Sequence, residues 1–162
     1  LAGYMGAGKS TVGRLLAEAL ARPFADSDVA IEEHAGMAIP EIFSRRGELW
    51  FRRMEERIIR EIVGGEPGVL ALGGGALGRE RTRDLLGRVS RVVWLRLDPE
   101  EAWARVSGSD RPLADGRERF LRRAAQREPV YAACADLIVD ARAHPKDSTA
   151  EIVSLLTDEE AS

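Results

Sequence analysis

The chain has 162 residues, of which 44% are hydrophobic, and a formal net charge of −3. This length and composition are enough for one core, so we expect one domain over residues 1–162. The acidic balance argues against a nucleic-acid partner, and no run of about 18 apolar residues or secretion signal is present. Cys134 is the only cysteine, which excludes an internal disulfide. We predict a cytoplasmic monomer that binds a small ligand and no membrane.

The chain opens on a glycine-rich segment, GYMGAGKST. We expect Leu1 and Ala2 to be the end of a strand that begins before the sequence given, because such a loop normally follows a strand. Apolar residues recur at helical spacing from Val12 to Leu20, and Pro23 ends the pattern. The sequence therefore predicts a strand, a loop and a helix in that order.

The loop fits the pattern G-x-x-x-x-G-K-[ST], which binds nucleotide phosphates. Lys9 is one of two lysines among 24 basic residues, so it is not generic positive charge. In this motif backbone N–H groups surround the phosphates, the lysine reaches the β- and γ-phosphates, and the hydroxyl of Ser10 ligates Mg²⁺. The alternative is an ordinary glycine-rich turn before a helix. The predicted contacts to ATP and Mg²⁺ here are Gly6, Ala7, Gly8, Lys9, Ser10 and Thr11.

An acidic pair, Asp26 and Asp28, follows the short apolar segment that we predict as the second strand. Side chains two residues apart on a strand point the same way, so both carboxylates are expected on one side. Such a pair suits Mg²⁺ and a hydroxyl group, and the alternative is a solvated turn or a helix cap. Because ligands of open α/β sheets bind at the carboxyl ends of strands, the neighbouring phosphate loop favours the site.

The rest of the chain alternates predicted helices with predicted strands. Helices are expected at residues 29–34, at residues 36–63 with a break near Gly47, and in RERTRDLLGR with a stop at Gly87. Further helices are expected at residues 99–106, after the polar loop with Arg127 near the end of the helix, and from Pro145. Strands are expected in GVLALGGG, RVVWLRL and DLIVD, and SGSDRPLADGRER reads as a mobile polar loop. The alternation predicts an α/β sandwich with a mostly parallel sheet of about five strands.

Several segments together resemble the shikimate kinases, small P-loop kinases of the nucleoside-monophosphate-kinase type. They are GYMGAGKSTVGR, DSD, GMAIPEIF, GELWFRRME, LALGGG, RPL, REPVY and ADLIVD, in the family's order. The resemblance implies a three-layer sandwich with a five-stranded parallel sheet, a helical substrate-binding segment at about residues 29–63 and a lid at about residues 107–118. It also implies transfer of phosphate from ATP to the 3-hydroxyl of shikimate.

The resemblance assigns roles by position. Asp28 matches the residue that holds the shikimate hydroxyls and accepts the proton, and Asp26 matches its companion near Mg²⁺. Arg52 and Arg127 match the two arginines that bind the carboxylate, with Glu55 holding the first. Further matches are Gly73, Gly74 and Gly75 beside the substrate, Phe43 and Phe51 as apolar walls, Arg111 as the lid arginine, and Arg105 and Pro145 beside adenine.

Other interpretations of these residues remain open. Arg52 and Glu55 lie three apart on one helix face, which also suits a surface ion pair, and aromatic residues at helical spacing also suit a plain core. A kinase for another hydroxy acid such as gluconate, or a catalytically silent kinase-like domain, would share much of the pattern. Two departures from the family are Ala71 with Leu72, where a serine or threonine is common, and the lid sequence RPLAD.

Overall fold

The computed structural model describes residues 1–107 and 116–160, so Arg111 and most of the predicted lid lie outside the described part. Helices and strands alternate along the chain, as predicted. The helices are α1 Lys9–Ala19, α2 Ser27–Ala35, α3 Ile39–Val63, α4 Glu80–Val89, α5 Pro99–Val106, α6 Arg117–Cys134 and α7 Pro145–Glu160, with a 3₁₀ turn at Ala76–Gly78. The strands are β1 Phe24–Asp26, β2 Val69–Ala71, β3 Val93–Arg96 and β4 Leu137–Asp140.

The strands form two parallel pairs, β1 with β2 and β3 with β4. The backbone of Leu1 and Ala2 lies between the pairs. The amino group of Leu1 donates to the carbonyl of Leu70 at 2.5 Å, and the carbonyl of Ala2 accepts from the N–H of Leu95 at 2.9 Å. Within the described residues, the only strand pairing of this segment is an isolated parallel bridge between Ala2 and Trp94, so the five-stranded sheet is not confirmed although the α/β class is.

Strand β3 explains the layering of the molecule. Trp94 packs with residues of α5 and α6, whereas Leu95, the next residue, packs with residues of α1 and α7. Neighbouring side chains of a strand point to opposite faces, so both faces of the β3 region are covered by helices. A third, smaller apolar cluster holds α2 against α3 and includes the buried residues Ile31 and Ile42.

Two helices extend further than the sequence predicts. Gly87 lies inside α4, which continues to Val89; the predicted stop is wrong because Leu86, only 3% exposed, anchors this last turn. A glycine in a helix costs only about 1 kcal/mol relative to alanine, and packing overrides that cost. Similarly, α6 runs well past Arg127 and through Pro129 to Cys134. No helix within the described ranges is long and apolar enough to cross a bilayer.

Candidate active site

The phosphate loop wraps tightly around the start of α1. Gly3 has φ 144°, and a Cβ there would lie 2.7 Å from the carbonyl oxygen of Leu95, so only glycine fits. Lys9 begins α1, and its ammonium group donates to the carbonyls of Gly3 at 2.9 Å and Tyr4 at 3.2 Å. The loop backbone, the helix N-terminus and the lysine thus come together as a phosphate site requires.

The acidic pair of Asp26 and Asp28 lies beside this loop, but the two residues are not both on a strand. Strand β1 ends at Asp26, which caps α2 by accepting the N–H of Asp28 at 3.0 Å. Asp28 is therefore in the first helical turn, and the prediction that both carboxylates project from one strand is wrong. The other oxygen of Asp26 accepts a 2.5 Å hydrogen bond from the hydroxyl of Ser10.

A cavity of about 750 Å³ connects the loop to the helical segment α2–α3. Most of the predicted site residues meet there, and within the described residues Ala7 and Pro145 do not line it. Predicted residues that line the cavity are Gly6, Gly8, Lys9, Ser10, Thr11, Asp26, Asp28, Phe43, Phe51, Arg52, Glu55, Gly73, Gly74, Gly75, Arg105 and Arg127. The volume falls in the usual range for small-molecule sites.

Arg52 and Glu55 form a buried pair on α3. The Arg52 guanidinium donates to Glu55 at 2.8 Å, and their side chains are 12% and 2% exposed. Burial by itself lowers the pKa of Arg52, but Glu55 and Glu48 hold it above its ordinary value. Burial raises the pKa of Glu55 above 4.5 despite the attraction of Arg52. The interpretation as a surface ion pair is therefore wrong, because both side chains are largely buried.

One oxygen of Glu55 is buried and has no hydrogen-bond partner among the described residues. It lies against the glycine loop that follows β2: a Cβ at Gly73 would be 2.8 Å from it and 2.5 Å from an oxygen of Asp28. The N–H of Gly73 donates to the buried hydroxyl of Ser27 at 2.8 Å. The absence of a side chain at Gly73 thus lets two carboxylates approach the backbone closely.

Arg127 reaches the same loop from α6. Its guanidinium donates to the carbonyl of Gly74 at 3.1 Å and lies 5.2 Å above the ring of Tyr4. The hydroxyl of Tyr131 donates to the same carbonyl at 2.5 Å. Arg52 and Arg127 therefore approach the glycine loop from separate helices, and both line the cavity.

The apolar wall comes from the two halves of α3. Gly47, with φ 80° and ψ 166°, kinks the helix where the sequence predicts a break. Phe43 precedes the kink and Phe51 follows it, and their ring centroids are 4.8 Å apart. Because of the kink, the two aromatic rings and the ion pair of Arg52 and Glu55 line the same cavity although all of them belong to α3.

Arg105 connects the phosphate-loop end of the cavity with Ala141, the residue that follows β4. Its guanidinium donates to the carbonyls of Gly6 and Ala141, each at 3.2 Å. Pro145 begins α7 shortly after Ala141, away from the lining of the cavity within the described part. The roles of both residues beside adenine stay predictions, and Arg111 lies outside the described residues.

Three residues of the site were not identified from the sequence. Ser27 stands between the two aspartates and accepts from the glycine loop, Glu48 is the second partner of Arg52 at 3.3 Å, and Tyr131 holds the carbonyl of Gly74. The i,i+4 spacing of Glu48 and Arg52 was a usable signal. Nothing in the local sequence reports the other two contacts, since each spans more than forty positions.

Comparisons with known proteins agree with this geometry. The shikimate kinase family profile matches residues 5–157. A shikimate kinase from Bradyrhizobium diazoefficiens is 46% identical over 155 residues, which is 93% of this chain and 74% of that protein. The structure is similar to that of the Acinetobacter baumannii shikimate kinase in complex with shikimate, with a TM-score of 0.95, 36% identity, and coverage of 99% of this chain and 93% of that one.

A more distant likeness bears on the fold alone. A gluconokinase from Sinorhizobium meliloti has a TM-score of 0.55 and 16% identity, and the match covers 98% of this chain and 94% of that one. At this identity the shared feature is the P-loop kinase architecture and not the acceptor.

Proposed function

The chain belongs to the shikimate kinase family, and we propose that it transfers the γ-phosphoryl group of ATP to the 3-hydroxyl of shikimate. One observation carries the proposal: a phosphate loop and two arginines on separate helices line a single cavity, with Asp28 also in its lining. The phosphate loop suits a phosphoryl donor, and the two arginines suit a substrate with a carboxylate. The carboxylate of Asp28 suits an attacking hydroxyl group, which needs an acceptor for its proton.

ATP binds at the loop in this proposal. Backbone N–H groups of residues 6–11 hold the phosphates, and Lys9 turns from the loop carbonyls to the β- and γ-phosphates. Arg105 borders the adenine end through its contacts with Gly6 and Ala141, and Pro145 is assigned to the same end. Arg111 is assigned to the transferring phosphoryl group on the family resemblance alone.

Mg²⁺ fits the oxygens of Ser10 and Asp26. A hydroxyl and a carboxylate that meet at 2.5 Å are hard oxygen ligands of the type that Mg²⁺ takes together with substrate phosphates. Among the described residues no group of three or more His, Cys, Asp or Glu forms a separate metal site. When bound, Mg²⁺ neutralises charge on the β- and γ-phosphates. Leu72, where the family commonly has a hydroxyl residue, adds no oxygen to this shell.

Shikimate binds between α3, α6 and the glycine loop. Arg52 and Arg127 donate to its carboxylate, and Glu55 holds Arg52 in place with a 2.8 Å hydrogen bond. Phe43 and Phe51 cover the ring of the substrate. Planar guanidinium groups match a carboxylate with paired hydrogen bonds, so two of them fix both the position and the rotation of the acid.

Asp28 then lies where the substrate hydroxyls enter. In the first turn of α2 its backbone N–H is fixed by Asp26 at 3.0 Å, and the absence of a side chain at Gly73 leaves room for its carboxylate. Asp28 orients the attacking hydroxyl and accepts its proton. The transition state of phosphoryl transfer is loose, so positioning and electrostatic stabilisation carry most of the rate and an ordinary carboxylate is a sufficient base.

The test is ADP release measured with shikimate, gluconate, nucleoside monophosphates and no acceptor. We expect turnover with shikimate alone. Turnover confined to gluconate would identify the related hydroxy-acid kinase, and absence of turnover with every acceptor would identify a silent kinase-like domain. The single-domain organisation, the monomeric state and the cytoplasmic location stay predictions.

A further inference from the structure

Two donors from one helix face share a single acceptor beside the acid site. Arg127 and Tyr131 lie one turn apart on α6, and both donate to the carbonyl of Gly74, at 3.1 Å from Nη1 of Arg127 and 2.5 Å from the Tyr131 hydroxyl. Tyr131 is only 4% exposed and its ring packs 5.8 Å from that of Trp94. The tyrosine is therefore fixed, whereas the guanidinium lies at the edge of the cavity.

This sharing matters when the acid binds. Each N–H group that Arg127 turns from the carbonyl of Gly74 to the substrate carboxylate takes a donor away from that carbonyl. Leaving a partly buried carbonyl without a hydrogen-bond donor costs free energy. The hydroxyl of Tyr131 prevents that loss, because it remains on the oxygen when Arg127 leaves.

We propose that Tyr131 is a positioning residue for the acid substrate: it holds the Gly74 carbonyl and thereby releases Arg127 to bind the carboxylate. The inference rests on the proposed function of Arg127. The ring of Tyr4, 5.2 Å below the guanidinium, supports Arg127 while it changes partner. Burial raises the pKa of Tyr131 above its ordinary value of 10.0, so the hydroxyl stays protonated and remains a donor at neutral pH.

Gly74 also lies beside the phosphate loop. A Cβ at Gly74 would lie 3.5 Å from the N–H nitrogen of Met5 and 3.7 Å from the carbonyl oxygen of Gly3, so a single methyl group would fill the space between the two loops. Gly74 is therefore a neighbour of both Arg127 and the phosphate loop. We expect Tyr131 to affect the affinity for the acid substrate more than the affinity for ATP, because Arg127 is the group that exchanges partners.

The first test is Tyr131→Phe, which keeps the ring and removes only the hydroxyl. Arg127 then becomes the only side-chain donor to the carbonyl of Gly74 among the described residues, and it is harder to displace. We expect the KM for shikimate to rise roughly two- to twelvefold, the range of one neutral hydrogen bond, with kcat and the KM for ATP changed by less than about twofold. Ser148→Ala is the matched control, because it removes another buried hydroxyl, 3.5 Å from the carbonyl of Asp140, and should leave the KM for shikimate unchanged.

The second test is the double variant. In an Arg127→Ala background, Tyr131→Phe should cause no further rise in the calorimetric Kd for shikimate, because no arginine remains to be released. Equal rises in both backgrounds, an unchanged KM in Tyr131→Phe, or an equal rise in the KM for ATP would overturn the proposal. Failure of the wild-type protein to bind or phosphorylate shikimate would refute the proposed function instead, and would be seen before any variant is made.

Discussion

Replacing Gly73 by alanine should disable catalysis in a protein that still folds. The new Cβ would lie 2.5 Å from an oxygen of Asp28 and 2.8 Å from an oxygen of Glu55, whereas ordinary contact begins at 3.4 Å. Gly73 is not among the glycines with positive φ, so crowding and not backbone strain is the cause. The carboxylate of Asp28 must recede by about 0.9 Å. Because a misplacement of about 1 Å can cost a hundredfold in rate, we expect kcat to fall about a hundredfold.

The assay is coupled ADP release at saturating ATP and shikimate, with thermal unfolding followed by circular dichroism. Gly78→Ala is the matched control, since nothing lies within 4 Å of a Cβ at that position, and it should keep the wild-type kcat. Gly75→Ala presses instead on the guanidinium of Arg52, at 2.5 Å, and should raise the KM for shikimate more than it lowers kcat. A folded Gly73→Ala protein with wild-type kcat would refute the placement of Asp28 against the glycine loop.

Three further predictions concern single side chains. Asp28→Asn should lower kcat by orders of magnitude and spare ATP affinity measured by calorimetry, since it removes the proton acceptor and keeps the shape; a matching loss of ATP affinity would assign Asp28 to the metal. Burial raises the pKa of Glu55 above its ordinary value, so the folded state binds the proton of Glu55 more tightly than the unfolded state does. The unfolding free energy of the wild type, compared with that of Glu55→Gln in urea titrations, should therefore fall as pH rises through the folded-state pKa. A difference that stays constant with pH would contradict this direction. Gly87→Ala should stabilise α4 by about 0.5–1 kcal/mol at unchanged activity, because the site is helical and open; a lower Tm would count against this account.

Short-range patterns in the sequence predicted most of the local structure. The phosphate loop, the break of α3 at Gly47 and the helix that begins at Pro99 each depend on a few neighbouring residues whose backbone preferences are strong. Arg52 and Glu55 could likewise be paired from their spacing. These features needed no knowledge of which elements pack together.

Features that depend on packing could not be predicted in this way. Gly87 and Pro129 have low helix propensity. They are nevertheless helical, because the nearby side chains of Leu86 and Tyr131 are buried and hold these turns in place. The link between Ser27 and the N–H of Gly73 and the link between Tyr131 and Gly74 join distant segments, so neither has a local signature. The burial of Glu55 also follows from tertiary packing, and it turns an ordinary i,i+3 pair into part of a binding site.

The charges around the acid nearly cancel before it arrives. Arg52 and Arg127 are matched by Asp28 and Glu55 in the same cavity lining. Beyond a screening length of about 10 Å at 0.1 M salt, such a balanced group exerts little attraction on an approaching anion. The acid is therefore not drawn in from a distance. It is captured by an exchange of partners at contact, and its association rate should depend little on ionic strength.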